Sequence, residues 1–199
     1  MVDLPLLAHA LVEAEPMSTV RYRRFTVDEL MQLVGAGVLR EDDRVELIHG
    51  VLIEMPPIGD DHIFVTNVLA RALTLGLGDA ALVSVQNPVR LGERLMPQPD
   101  IAVLSPELGR QRRGPLAEDA LLIIEVSDTT LVYDRTVKLP LYAEAGIPEV
   151  WIVNLPEQQI EVYREAGPGG YKSMRRILRG ETVAPEAFPD VLIAADAIL

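Results

Sequence analysis

Four charged residues interrupt apolar surroundings where packing alone would not place them. Glu46 breaks into Val45-Glu46-Leu47-Ile48, Asp100 follows Pro99 at the head of another apolar run, Glu125 ends Leu121-Leu122-Ile123-Ile124, and Lys138 follows in the next segment. An ionised carboxylate beside such a run costs on the order of several kcal/mol unless it is paired or bound to a cation. One reading of Glu125 is therefore an ion pair with Lys138 or an arginine. The other is a metal site. Asp100 and Glu125 on adjacent strands of one sheet would present hard oxygen donors, which suit Mg²⁺ or Mn²⁺ retaining some of its water. A nearby lysine would then orient an attacking water or neutralise charge on a phosphate.

Such a set needs strands and a helix to hold it, and the sequence offers both. Thr26-Val27-Asp28-Glu29 has the form of a capping box, and Leu30, Met31, Leu33 and Val34 continue at helical spacing until Gly35 and Gly37. Residues 44–48 and 51–55 flank His49-Gly50, a hairpin turn in which glycine supplies positive φ. A second helix is expected over 61–77. Strands follow at 81–91, 101–104 and 120–126, the last nearly all apolar and so buried on both faces. Residues 134–145 read as a helix kinked by Pro140 and capped by Gly146. A strand at 150–153 and an antiparallel pair, 159–164 with 171–178, complete the pattern. The fold expected is α/β (α+β): one central mixed β-sheet flanked by helices, with an N-terminal helix and hairpin.

Composition narrows the functions open to this chain. Its 199 residues suit one domain, with 49% hydrophobic and 24% charged residues. The net charge of −12 opposes broad electrostatic capture of nucleic acid, so any such contact must be local. The absence of cysteine excludes disulfides, thiolate catalysis and cysteine-built metal sites. No basic-then-apolar start suggests export, and no stretch of about 18 uninterrupted apolar residues suggests a membrane span. A cytoplasmic location without membrane attachment is the expectation. The zincin, P-loop and nucleophile-elbow motifs are missing.

The residues Glu46-Leu47-Ile48-His49-Gly50, His62, Pro99-Asp100-Ile101, Ile124-Glu125-Val126-Ser127, Asp134 to Lys138, Tyr142 to Gly146 and Glu149-Val150-Trp151-Ile152-Val153-Asn154 go further in combination. In their order and strand context they resemble the bacterial Uma-type endonuclease family, within the PD-(D/E)xK restriction-endonuclease-like superfamily. The resemblance runs from about Phe25 to the C-terminus. It divides the chain into an N-terminal extension, 1–24, and a nuclease domain, 25–199. It implies a restriction-endonuclease-like core with Mg²⁺ or Mn²⁺ held by Asp100 and Glu125, Glu46 binding metal or water from the hairpin, and Lys138 as the active-site lysine. DNA would be the substrate and a homodimer the assembly. Three positions depart from the pattern. Ser127 stands where the superfamily's Glu-x-Lys has lysine, so Lys138 must reach in from the helix. Ser127-Asp128-Thr129-Thr130 replaces the usual Ser-Pro-x-Thr, and Asn154 replaces an aspartate.

Lys138 and Lys172 are the only lysines among 18 basic residues, so a chain that prefers arginine keeps lysine where the resemblance marks it. His62 and Tyr142 are expected to support the site, although a simple cap would explain His62 equally. His49 reads as a turn residue, and Trp151 as core. Arg110, Arg112 and Arg113, with Arg175, Arg176 and Arg179, are the candidates for phosphate contacts, against the ordinary reading of solvated charge. Two rivals stand beside the nuclease. One is an inactive nuclease-fold binding or assembly module with a vestigial acidic cluster, and metal uptake separates it from the enzyme. The other, a glycosidase using paired carboxylates, is disfavoured by one tryptophan and 5% aromatic residues, which leave little surface for sugar stacking.

Overall fold

A computed structural model describes residues 22–40 and 43–199, so most of the expected N-terminal extension, and His9 with it, lies outside the described residues. The capping box forms as read. Thr26 caps helix α1 (Val27–Gly35) by accepting from the Glu29 N–H, while the Glu29 carboxylate accepts from the Thr26 N–H. Strands β1 (Val45–Ile48) and β2 (Val51–Glu54) pair antiparallel around His49 and Gly50, both at positive φ. Backbone bonds between Leu47 and Met96 tie this hairpin to the segment that leads into Asp100.

Helix α2 (Asp60–Leu77) opens the segment Asp60–Ala80, which is long and apolar enough by length and composition to cross a membrane, although Asp60, Asp61 and Arg71 interrupt its apolar run as expected. Its packing explains the apolarity. Val65, Leu69, Leu73 and Leu77, one turn apart, lie against Ile101, Val103, Leu122, Ile124 and Trp151 of the sheet. That sheet has six strands in the order β3 (Leu82–Val85), β4 (Ile101–Leu104), β5 (Ala120–Ser127), β6 (Glu149–Asn154), β7 (Gln159–Gly167) and β8 (Gly170–Ile177). Only β5 and β6 run parallel, so the sheet is mixed. The parallel pair needs a crossover, and the helical segment between them supplies it.

Two expectations change. The strand read over 81–91 ends at Val85, because Gln86 adopts positive φ and the chain turns into an irregular segment. The helix read over 134–145 begins earlier and is not simply kinked. Helix α3 (Leu131–Tyr133), a π-helical turn (Asp134–Lys138) and helix α4 (Leu139–Glu144) run on without a break. Pro140 lacks the N–H that would extend the α-helical ladder, and the wider turn ahead of it accommodates the missing bond. Gly146, at φ 77°, then ends the helix as expected. This second layer covers the sheet face opposite α2, where Tyr142 and Ile147 pack against Ile123, Val150 and Ile152. A small hairpin, β9 (Thr182–Val183) with β10 (Ile193–Ala194), closes the α2 side.

Candidate active site

Register creates the first pair. Ile101 of β4 faces Ile124 of β5, which sets Asp100 and Glu125 opposite one another at the end of two central strands. Asp100 Oδ2 accepts from the Val126 N–H at 2.8 Å, and its Oδ1 lies 3.0 Å from His62 Nε2. His62 comes from the first turn of α2, with Thr66 Oγ1 3.5 Å from its Nδ1. The two layers thus meet at Asp100.

Lys138 approaches from the other side. Its Nζ is 2.8 Å from Glu125 Oε1 and 3.0 Å from Glu46 Oε1, with all three side chains buried. Tyr142, one turn later, donates its hydroxyl to Glu125 Oε1 at 2.6 Å. Glu46 is satisfied on every side: Lys138, the Gln98 N–H at 2.8 Å and the Tyr133 hydroxyl at 3.2 Å all reach its carboxylate. Asp134 accepts from Ser127 Oγ and Thr130 Oγ1, both at 2.7 Å.

Four buried carboxylates therefore surround one lysine. Burial pushes Glu125 well above the usual carboxylate range; Lys138 pulls against this, and Asp134, Asp100 and Glu46 add to the push. Burial works against the Lys138 ammonium, but Glu125 and Glu46 outweigh it and hold the group well above its ordinary value. Burial likewise raises Asp134. Asp100 is the exception. Burial would raise it too, but the contacts from His62, Lys138 and the Val126 N–H hold it below the ordinary range. The surplus of negative charge is what a cation would relieve.

Asp100, Glu125, Asp134, Lys138 and His62 line one cleft of about 200 Å³, together with Arg44 and the segment Met55 to Gly59. Glu46 and Tyr142 stand behind these residues and are not part of the lining. The donor set fits a hard divalent cation held by Asp100 and Glu125 and completed by water. Among the described residues no group of three or more His, Asp or Glu side chains is placed to hold a metal, so a dedicated protein cage is not what the residues build.

The arginines proposed for phosphate contact lie elsewhere. The connection carrying Arg110, Arg112 and Arg113 leaves from Leu104 and returns at Ala120, the opposite end of β4 and β5 from Asp100 and Glu125. Four residues of strand put it more than about 10 Å away. Arg113 is also committed to Asp119, which it grips through two hydrogen bonds. Arg176 shares a cross-sheet row with Glu125 through Ile152 and Glu161, three strand spacings or about 14 Å off. Arg175 pairs with Glu181, and Arg179 reaches Gln158. Trp151 is fully buried core.

Sequence reasoning gave no role to Asp134, Tyr133, Thr130 or Gln98. For two of these a signal existed: Thr130, Asp134, Lys138 and Tyr142 recur every four residues, the spacing of one helix face. Nothing in the sequence pairs Tyr133 or Gln98 with Glu46.

Comparison with known proteins adds two findings. The profile of the Uma2 family, described as "Putative restriction endonuclease", matches residues 27–196. The chain also resembles a crystal structure described as a putative nuclease belonging to DUF820, from Anabaena variabilis, with TM-score 0.68 and 18% identity over 87% of this chain and 97% of that one. The fold is thus shared with that protein. No curated protein matches the chain.

Proposed function

The chain belongs to the Uma2 restriction-endonuclease family, and from that premise we propose that it hydrolyses DNA phosphodiester bonds at the cleft, using Mg²⁺ or Mn²⁺. One observation carries the reading: Asp100 and Glu125 stand opposite on adjacent strands, both open to the cleft, with the Lys138 ammonium on Glu125. Asp100 and Glu125 would hold the metal, whose chemistry is Lewis-acid activation of water and neutralisation of phosphate charge. Lys138, held in its charged form, acts as a hydrogen-bond donor to water or a phosphate oxygen and not as a base. Glu46 takes the role of positioning residue, fixing Lys138 from behind the cleft lining. Tyr142 orients Glu125, and His62 orients Asp100.

The test is incubation of plasmid and oligonucleotide DNA with Mg²⁺, Mn²⁺ or EDTA, comparing the native chain with Lys138→Met and Lys138→Arg. Metal-dependent cleavage that falls by orders of magnitude in Lys138→Met is the expected result. Cleavage that survives it rejects the assignment.

A second reading, an inactive nuclease-fold binding module, is favoured by one feature. Among the described residues every buried side-chain polar atom already has a protein partner. Titration calorimetry separates the two: a heat of Mg²⁺ or Mn²⁺ binding that disappears in Asp100→Asn supports the nuclease, and none in the native chain supports the module.

A further inference from the structure

We propose that the cleft is built to take an unpaired nucleotide, so that the substrate is single-stranded or locally opened DNA and not an uninterrupted duplex. The inference rests on the nuclease reading of the same cleft and adds the form of DNA it accepts.

The reacting groups are recessed. Glu125 is 3% exposed, Lys138 2% and Asp100 8%, so a phosphate must enter the cleft to touch them. At about 200 Å³ the cleft is smaller than the roughly 300–1,000 Å³ of pockets that engulf whole drug-sized ligands. It has room for a phosphodiester with parts of its flanking nucleosides. A duplex presents its phosphates along a stiff rod with a persistence length of about 50 nm, and drawing one nucleotide inward costs unstacking and unpairing. A single strand bends in without that cost.

The lining has two kinds of surface, as a nucleotide does. The floor is polar and charged, formed by Asp100, Glu125, Asp134 and Lys138. The lining also includes the short segment Met55-Pro56-Pro57-Ile58, apolar and stiffened by two prolines, with Met55 and Ile58 half-buried. A sugar edge or base face lies against such a surface while its phosphate meets the floor. Arg44 also lines the cleft, its guanidinium donating to the Pro56 carbonyl, and would be the group to meet a neighbouring phosphate.

Charge points the same way. Duplex capture draws on many phosphate contacts along the backbone. Here the net charge is −12, Arg44 and Lys138 are the only Lys or Arg side chains among the described residues that line the cleft, and the arginine clusters lie at the far end of the strands or three strands away. The cleft therefore offers a short footprint.

The experiment uses one labelled oligonucleotide as a single strand, as a full duplex and as a duplex with a central gap. Cleavage with Mn²⁺ is followed for each, and binding is measured by fluorescence anisotropy in EDTA, where no turnover is needed. Single-stranded and gapped DNA should be cut about tenfold or more faster than duplex, with cuts in the gap, and should bind more tightly in the same order. The double variant Met55→Ala/Ile58→Ala should weaken single-strand binding about fivefold while duplex binding hardly moves, with thermal melting confirming that the variant remains folded at the assay temperature. Duplex that binds and is cut as well as single strand overturns the inference while leaving the nuclease standing. Tighter single-strand binding without cleavage by any metal has the opposite meaning: the nuclease reading fails and the nucleotide cleft survives. Equal binding of both forms, or an unmoved double variant, also overturns the inference.

Discussion

Glu125 and Glu46 share one lysine but differ in what else they face, and that difference predicts different behaviour. Glu125 opens to the cleft beside Asp100, whereas Glu46 is enclosed by Lys138, Gln98 and Tyr133. Glu125→Gln should abolish Mg²⁺ uptake in titration calorimetry. Glu46→Gln should leave uptake within about twofold of native and lower the cleavage rate through a misplaced Lys138. Equal loss of uptake in both would make Glu46 a metal ligand, as the sequence suggested. Glu125 also sets a pH dependence. Burial raises Glu125 and Asp134 in the folded state, so the folded protein keeps protons that the unfolded chain has released. Stability must then fall as pH rises from the ordinary carboxylate range through those raised values. Asp100, held low, works oppositely and loses its contribution toward acid; Lys138, held high, loses its own only at alkaline pH. Without metal, Glu125→Gln should gain on the native chain in thermal melting as pH rises above the ordinary carboxylate range. Near pH 5 the two curves should meet. A gap that widens toward acid would contradict the sign.

At the scale of elements, the hairpin delivers Glu46, and one glycine lets it seat. Gly50 has φ 81°, and a Cβ there would stand 2.7 Å from Arg24 Cβ and 2.9 Å from the Phe25 carbonyl oxygen. Gly169, in the β7–β8 turn, has φ 101° but open space around it. Gly50→Ala should therefore cost more than the roughly 1–2 kcal/mol of left-handed strain alone, and Gly169→Ala about that amount. Urea midpoints measure both, and equal losses would remove the close approach as a cause. The hairpin, α1, α2 and strands β4 to β8 were legible because capping, glycine turns and apolar periodicity are local signals, whereas the two-residue strands β9 and β10 are too short to carry such a pattern. The segment after Val85 was not, since the positive φ of Gln86 answers to the placement of Pro97 to Asp100 and not to its own neighbours. The π-helical turn was hidden for a similar reason: Pro140 announces a broken ladder but not how the break is absorbed. The rule that found Glu46 and Glu125, a charge inside an apolar strand, applies equally to Glu149 and Glu161. Both are buried, yet they pair with Arg164 and Arg135 away from the cleft. Lysine in place of arginine as the partner is what separated the candidate site from these structural pairs.

At the scale of the whole molecule, the distribution of charge decides how DNA could be held. The chain carries −12, and the sequence reading looked to Arg110, Arg112 and Arg113 to offset it. Their loop lies at the strand ends remote from Asp100 and Glu125, and Arg113 already holds Asp119. Each phosphate contact contributes about 0.7 to the slope of log K against log salt on a single strand and about 0.9 on a duplex. A footprint confined to the cleft and Arg44 implies one or two contacts, hence a single-strand slope of about −1. Arg110→Ala/Arg112→Ala, which spares the Arg113 pair, should leave that slope unchanged. Arg44→Ala should make it shallower by about 0.7. Arg113→Ala would be a poor probe, because it strips a partner from Asp119 and confounds binding with stability. Were the loop variant to flatten the slope by two contacts, the DNA path would have to run the length of the sheet, and a longer duplex footprint would replace the single nucleotide in the cleft.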